Sequence, residues 1–93
     1  MTELEKRISK YLISKGIKPH LQGFEYLKTA IKMVYEDKTI INNIKSLYVD
    51  GAKIHNTTPQ RFERSLRHAR PDKTVCNSEY IANVVEKLRY EEE

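Results

Sequence analysis

The segment NTTPQRFERSLRHAR, residues 56–70, carries an arginine at every third position, at 61, 64, 67 and 70. A guanidinium group can donate two hydrogen bonds to guanine O6 and N7 or bind phosphate oxygens, and a carboxylate such as that of Glu63 can accept from the cytosine amino group. The pattern therefore fits a helix that contacts base edges and phosphates in the major groove of duplex DNA. It fits equally a solvated charged face on which Glu63 pairs with Arg67 four residues later.

Local signals predict that this segment is an amphipathic helix over residues 59–70. Thr58 is a typical N-cap, Pro59 is favourable at the first helical position, and Pro71 ends the helix. At 100° per residue, the side that could pack on a core contains Phe62, Ser65, Leu66 and Ala69. The opposite side contains Gln60, Arg61, Arg64, Arg67 and His68, with Glu63 and Arg70 toward one edge. The arginines consequently spread over a broad surface instead of a single line.

The residues before this helix indicate a helix-turn-helix over about residues 49–70. Ala52 lies in a short predicted helix, residues 56–58 form a polar turn, and Phe62 follows ten positions after Ala52. A small residue, a tight turn and an apolar anchor in the second helix are typical of this motif, in which two helices approach closely at a fixed angle. This spacing favours DNA recognition over a merely solvated face.

Helical periodicity in the rest of the chain predicts an all-α fold, a compact bundle of five to six short helices. Thr2 and Glu5 have capping-box spacing at the start of a helix over residues 2–15, which Gly16 ends. The other predicted elements are a helix over 24–37, an apolar helical stripe over 39–48, a weaker helix over 49–56 in which Gly51 costs about 1 kcal/mol, and a last helix over about 78–91 behind an Asn77 cap. We expect a single domain, residues 1–93.

Composition and charge restrict the classes of function. The chain has 17 Lys and Arg against 13 Asp and Glu, and residues 59–73 alone hold five basic and two acidic side chains. This balance attracts polyanions. No apolar run approaches the ~20 residues of a membrane span, and the N-terminus lacks the apolar core of a signal peptide. We expect a cytoplasmic protein without a membrane partner.

Metal and catalytic chemistry have little support in the sequence. The soft metal ligands are His20, His55, His68 and Cys76, and their spacing matches no zinc pattern. The single cysteine also rules out an internal disulfide. Neither a Gly-rich phosphate loop nor a nucleophile motif occurs. We therefore expect no metal, no cofactor and no enzymatic activity.

Three stretches of the chain resemble the C-terminal DNA-binding effector domain of the stage-zero sporulation protein A family, the master transcription regulators of endospore formation. They are GIKPHLQGFEYLKTAIKMVYED, LYVDGAKIHNTTPQRFERSLRHA and NSEYIANVVEKLR, which together involve most of the chain. The most specific piece is NTTPQRFERSLRHA, because NTT, the two arginines around a glutamate, and RHA all fall in family register.

The resemblance implies a bacterial, helical DNA-binding domain, associated with the nucleoid when bound. Its recognition helix would enter the major groove of a short box in double-stranded DNA. Two copies of the protein could bind tandem boxes as a homodimer. Positions that match base-contacting residues of the family are Arg61, Glu63 and Arg64. Phosphate or base-edge contacts are expected from Asn56, Thr57 and Thr58 in the turn and from Gln60, Arg67 and His68 on the helix.

The chain departs from the family pattern in three places. The family's phosphorylatable receiver domain has no counterpart in these 93 residues. Only RPDKTVC leads from Arg70 to Asn77, where the family has a longer segment with a further helix. Gly51 and His55 stand where the family tends to have apolar residues, which predicts that the first helix of the helix-turn-helix is less stable. These departures leave a second function open, a non-enzymatic protein-interaction module that modulates a related full-length regulator.

Overall fold

The chain folds into α-helices joined by short connections, as described by a computed structural model for residues 2–92. Within that range there is no β-strand, so the predicted all-α fold is confirmed. The elements in chain order are α1 (Glu3–Ser14), α2 (Gln22–Glu36), a 3-10 helix (Lys38–Asn42), α3 (Ile44–Ile54), α4 (Pro59–Ala69) and α5 (Asn77–Glu92).

Helix α1 begins and ends where its local sequence predicts. The Thr2 hydroxyl accepts a hydrogen bond from the Glu5 amide at 3.1 Å, and the Glu5 carboxylate accepts one from the Thr2 amide at 3.4 Å. The predicted capping box is therefore confirmed. After the last turn, Gly16 has a φ of 85°, a left-handed conformation that glycine adopts without steric cost.

The prediction for residues 39–56 was wrong in how it divided the helices. The apolar stripe predicted over 39–48 is broken at Asn43, whose side-chain oxygen accepts from the Ser46 amide at 3.3 Å and caps α3. From Ile44 onward the helix continues without interruption through Gly51. An N-cap inside an apolar stripe separates two elements that share one periodicity, and periodicity alone does not reveal it.

Helix α2 forms the centre of the bundle, because it packs against α1, α4 and α5. Its apolar stripe is fully or almost fully buried and contains Phe24, Leu27, Ala30, Ile31 and Val34. From α4, Phe62 and Leu66 enter the same core with no exposed surface. The inner face of α4 is thus fixed by burial of large apolar side chains, and its opposite face is left to solvent.

Two glycines let other helices lie directly against α4 and its core residues. A Cβ atom on Gly23 of α2 would lie 2.6 Å from Ala69 Cβ and 2.8 Å from the Ser65 carbonyl oxygen. A Cβ atom on Gly51 of α3 would lie 2.4 Å from Cζ of Phe62. Since neither position has room for a side chain, these glycines determine how closely α2 and α3 approach α4.

Candidate nucleic-acid interface

A four-residue turn joins α3 to α4 and leaves polar groups at the surface. Asn56 has a left-handed φ of 53°, and the Thr57 amide donates to the Ala52 carbonyl oxygen at 2.9 Å. The Thr58 hydroxyl accepts from the Arg61 amide at 3.2 Å, and Pro59 is the first residue of α4, as predicted. Two helices in contact across such a turn fit a helix-turn-helix.

The outward face of α4 is exposed, as its amphipathic pattern predicts. The exposed side chains are those of Gln60, Arg61, Arg64, Arg67 and His68. Among the described residues, the guanidinium groups of Arg61 and Arg64 make no hydrogen bond or ion pair, whereas Arg67 lies 3.7 Å from the Glu63 carboxylate. Two positive charges are therefore presented to solvent without an internal partner.

The fourth arginine of the series is part of the protein interior. Arg70 is only 7% exposed. Its Nε donates to the Asn77 side-chain oxygen and its Nη1 donates to the Asp72 carbonyl oxygen, both at 2.6 Å. Of the four arginines spaced three positions apart, three therefore point outward and one, Arg70, points inward.

Glu63 lies at the border between the outward face and the interior. Its Oε2 accepts a hydrogen bond from the Asn77 amide at 3.2 Å and is the atom that faces Arg67. The side chain is 30% exposed. The predicted pairing of Glu63 with Arg67 along one helix face therefore forms, and it does so beside a second contact from α5.

The prediction that Asn77 caps α5 was wrong. Asn77 is the first residue of α5, so the residue before the helix is Cys76. The Tyr80 amide donates a hydrogen bond to the carbonyl oxygen of Cys76. The Asn77 side chain is buried and also donates to the Tyr48 hydroxyl at 3.2 Å. Burial is the main cause that raises the pKa of Tyr48.

Lys73, which the sequence analysis did not assign to the interface, supports the end of α4. Lys73 donates from its Nζ to the carbonyl oxygens of Arg67 at 2.5 Å and His68 at 3.1 Å, which satisfies the C-terminal end of the helix. A lysine shortly after a helix end was the signal that could have identified it. Lys73 is exposed, and its pKa is lowered first by the loss of some hydration and then by the charges of Arg70 and Arg67.

His55 fills the corner between α2, α3 and α4. Its Nε2 is 2.6 Å from the Thr29 hydroxyl, and its ring lies 4.7 Å from that of Tyr26 and 6.1 Å from that of Phe62 between centroids. Burial lowers the pKa of His55. Helix α3 extends to Ile54 in spite of Gly51, and both Gly51 and His55 pack on Phe62. The weakening expected from these two residues stays a prediction.

A shallow groove of about 220 Å³ lies beside the outward face. It is lined by Leu21, Gly23, Arg64, Ser65, His68 and Ala69. Across the part of the chain that the structure describes, no group of three His, Cys, Asp or Glu side chains is arranged to hold a metal. Over residues 2–92, no helix is long and apolar enough to cross a bilayer.

The fold and the surface define an all-α domain in which one face of the basic helix α4 packs on the core and the other is exposed. Residues 8–71 match the protein-family model described as "Sporulation initiation factor Spo0A C terminal". Because the match covers more than half of the chain, the chain belongs to this family. The family is the DNA-binding domain of a sporulation transcription factor, a regulatory domain and not a known enzyme family. The matched residues include α4 and end before α5.

Proposed function

We propose that this chain is a sequence-specific regulator of transcription that places α4 in the major groove of duplex DNA. The observation that carries the proposal is the pair of exposed guanidinium groups of Arg61 and Arg64, which have no internal partner within residues 2–92. Their helix is fixed in the core by Phe62 and Leu66. Because the helix backbone is already held in place, only the arginine side chains have to be ordered when they bind guanine.

The base-reading residues in this proposal are Arg61, Glu63 and Arg64. Glu63 retains one carboxylate oxygen, Oε1, that takes part in neither of its internal contacts, so it can accept from a cytosine amino group. Around them, phosphate or base-edge contacts come from Asn56, Thr57, Thr58, Gln60, Arg67 and His68. The turn places its hydroxyls next to the N-terminus of α4, where backbone amides favour a phosphate.

The test begins with selection of a preferred duplex from a random pool by the full chain. Fluorescence anisotropy then compares that duplex with scrambled duplexes at two salt concentrations. Affinity for all duplexes should fall as salt rises, because counterions are released from the neutralised phosphates. Preference for the selected duplex should persist at the higher salt, since it comes from base contacts.

Substitution of Arg64 by alanine tests base reading directly. We expect Arg64→Ala to cost about 1–3 kcal/mol of binding and to relax specificity at one base pair. The control is Lys6→Ala, which removes one exposed positive charge from α1, a helix packed on α2. An equal loss on every sequence in Arg64→Ala would mean that Arg64 contributes charge alone.

A second candidate function is a protein-interaction module that modulates a related full-length regulator. The observation in its favour is that two apolar side chains of α3 are exposed, Val49 at 39% and Ile54 at 63%. Binding to a protein through apolar contacts depends far less on salt than binding to DNA does. A chain that selects no duplex but retains a salt-insensitive complex with a related regulator would favour this candidate.

A further inference from the structure

The side chain of Asn77 joins three helices. It accepts from Arg70 of the α4 end at 2.6 Å, and its Nδ2 donates to Tyr48 of α3 and to Glu63 of α4, both at 3.2 Å. A guanidinium can only donate and a carboxylate only accept, so the two ends of the amide are assigned by their partners. Asn77 is 6% exposed, and its position is therefore determined by packing as well as by hydrogen bonds.

The contact between Asn77 and Glu63 leaves one carboxylate oxygen unused. Both internal contacts of Glu63 fall on Oε2, at 3.2 Å from Asn77 Nδ2 and 3.7 Å from Arg67 Nε. A glutamate on an open helix surface samples many rotamers, and ordering it on binding costs free energy. The Asn77 amide orders the Glu63 carboxylate before any ligand arrives.

We infer that Asn77 is a positioning residue for base recognition, which rests on the proposed function. By holding Oε2 of Glu63, it keeps Oε1 available to accept from a cytosine amino group. A residue of α5, outside the recognition helix and outside the residues matched by the family model, thereby determines specificity at the base pair that Glu63 reads. Its contribution is to the choice of sequence, because it does not itself touch DNA.

Asparagine meets the requirements of this junction in a way that its charged isostere does not. In Asn77→Asp the carboxylate can still accept from Arg70, and the size of the side chain is unchanged. The same carboxylate cannot donate to Glu63 and repels it, since two negative groups would face each other at about 3 Å. This variant thus removes the hold on Glu63 and keeps the link to Arg70.

The experiment measures binding of the full chain to the selected duplex and to a panel in which each base pair is substituted singly. We expect Glu63→Ala to lower discrimination at one C·G pair by about tenfold. Asn77→Asp should lower discrimination at that same pair to a similar extent, and should add nothing in the Glu63→Ala background. The matched control is Asn83→Asp, the same substitution at an exposed site of α5, which should reduce affinity equally for all panel members.

The outcomes separate this inference from the proposed function. A wild-type chain without preference among duplexes overturns both. A selective wild-type chain whose base profile is unaltered by Asn77→Asp, or altered at a pair that Glu63→Ala does not affect, overturns this inference alone. Circular dichroism establishes that each variant is folded at the assay temperature. A measurement on the wild type avoids any folding defect: the Asn77 side-chain amide protons should stay protected from exchange in the DNA complex, and free exchange would overturn the inference.

Discussion

At the scale of single residues, chemically identical side chains of one helix have different roles. Arg67 and Arg70 are three positions apart, yet Arg67 is exposed and Arg70 is buried against Asn77 and the backbone of Asp72. Burial of a charged group is tolerated when its donors are satisfied. Arg70 therefore links the end of α4 to the segment that leads into α5, while Arg67 lies at the surface, where we propose that it contacts phosphate.

We expect Arg70→Met to lower the free energy of unfolding by about 1–3 kcal/mol, because it leaves the buried side-chain oxygen of Asn77 unpaired and removes the bond to the Asp72 carbonyl oxygen. The same substitution at Arg67 should change stability by less than about 0.5 kcal/mol. In DNA binding the order reverses: Arg67→Met should reduce the slope of log K against log salt by about one, and Arg70→Met should leave it unchanged. Urea denaturation and anisotropy titrations measure the two effects.

This contrast would be contradicted by equal destabilisation in the two variants. It would also be contradicted by a salt slope that responds to Arg70→Met as strongly as to Arg67→Met. Equal destabilisation would mean that the buried contacts of Arg70 contribute no more to stability than the exposed side chain of Arg67 does, and an equal change of the salt slope would mean that Arg70 contacts DNA.

At the scale of helices, the close approach of α3 to α4 determines the geometry of the helix-turn-helix. Gly51 was expected to weaken a short helix, but its missing side chain is what admits the Phe62 ring between α3 and α4. Phe62 is fully buried and its ring stacks on that of Tyr26, with 4.9 Å between the centroids. Movement of this ring would therefore disturb its packing against Tyr26.

We expect Gly51→Ala to destabilise the protein by about 1–3 kcal/mol, although alanine is the better helix former. The reason is that the new Cβ would lie 2.4–2.9 Å from three atoms of the Phe62 ring. Lys53→Ala, at an exposed position of the same helix, is the control and should have little effect.

A double variant identifies the cause of the Gly51→Ala effect. In the double variant Gly51→Ala with Phe62→Leu, the smaller leucine side chain makes room for the new Cβ. We therefore expect the double variant to lose less stability than the sum of the losses in the two single variants. Simple additivity in urea denaturation would show that Gly51 does not act through Phe62.

At the scale of the whole molecule, packing between helices makes stability depend on pH. His55 is partly buried where α2, α3 and α4 meet, next to Thr29. Burial lowers its pKa, and of its charged neighbours Glu25 opposes this shift and Lys28 reinforces it. The unfolded chain therefore binds a proton more readily than the folded chain does.

We expect the free energy of unfolding to decrease as pH falls through about 6.5, the ordinary pKa of histidine, toward the lower pKa of the folded state. His55→Gln should abolish this dependence between about pH 7 and 5. His20→Gln, at an exposed position, should retain it. Denaturant titrations at several pH values provide the measurement, and an unchanged profile in His55→Gln would contradict the assignment.

Carboxylates contribute in a separate, more acidic range. Hydrogen bonds from Thr2, Thr39 and Thr74 lower the pKa values of Glu5, Asp37 and Asp72 respectively. Their stabilisation is present above the ordinary carboxylate pKa of about 4 and is lost as pH falls below it. The effect of His55 can therefore be observed before these groups protonate.

Local signals in the amino-acid sequence were sufficient for the all-α class, the start of α1, and the position and amphipathic sides of α4. The capping oxygens of Thr2 and Thr58 and the ring of Pro59 act within one turn of the chain. Interactions of such short range are encoded by spacing alone. For the same reason, the exposed surface of α4 with Arg61 and Arg64 followed from a 100° rotation per residue.

The inward direction of Arg70, the junction at Asn77 and the space left by Gly23 and Gly51 arise from contacts between helices distant in sequence. A helical wheel put Arg70 at an edge of α4, but whether that edge faces water depends on where α5 returns. Likewise, a glycine in a helix is a local penalty, and it becomes a requirement when another side chain, here that of Phe62, occupies its space. Such pairings depend on relative helix positions, which periodicity within one helix does not specify.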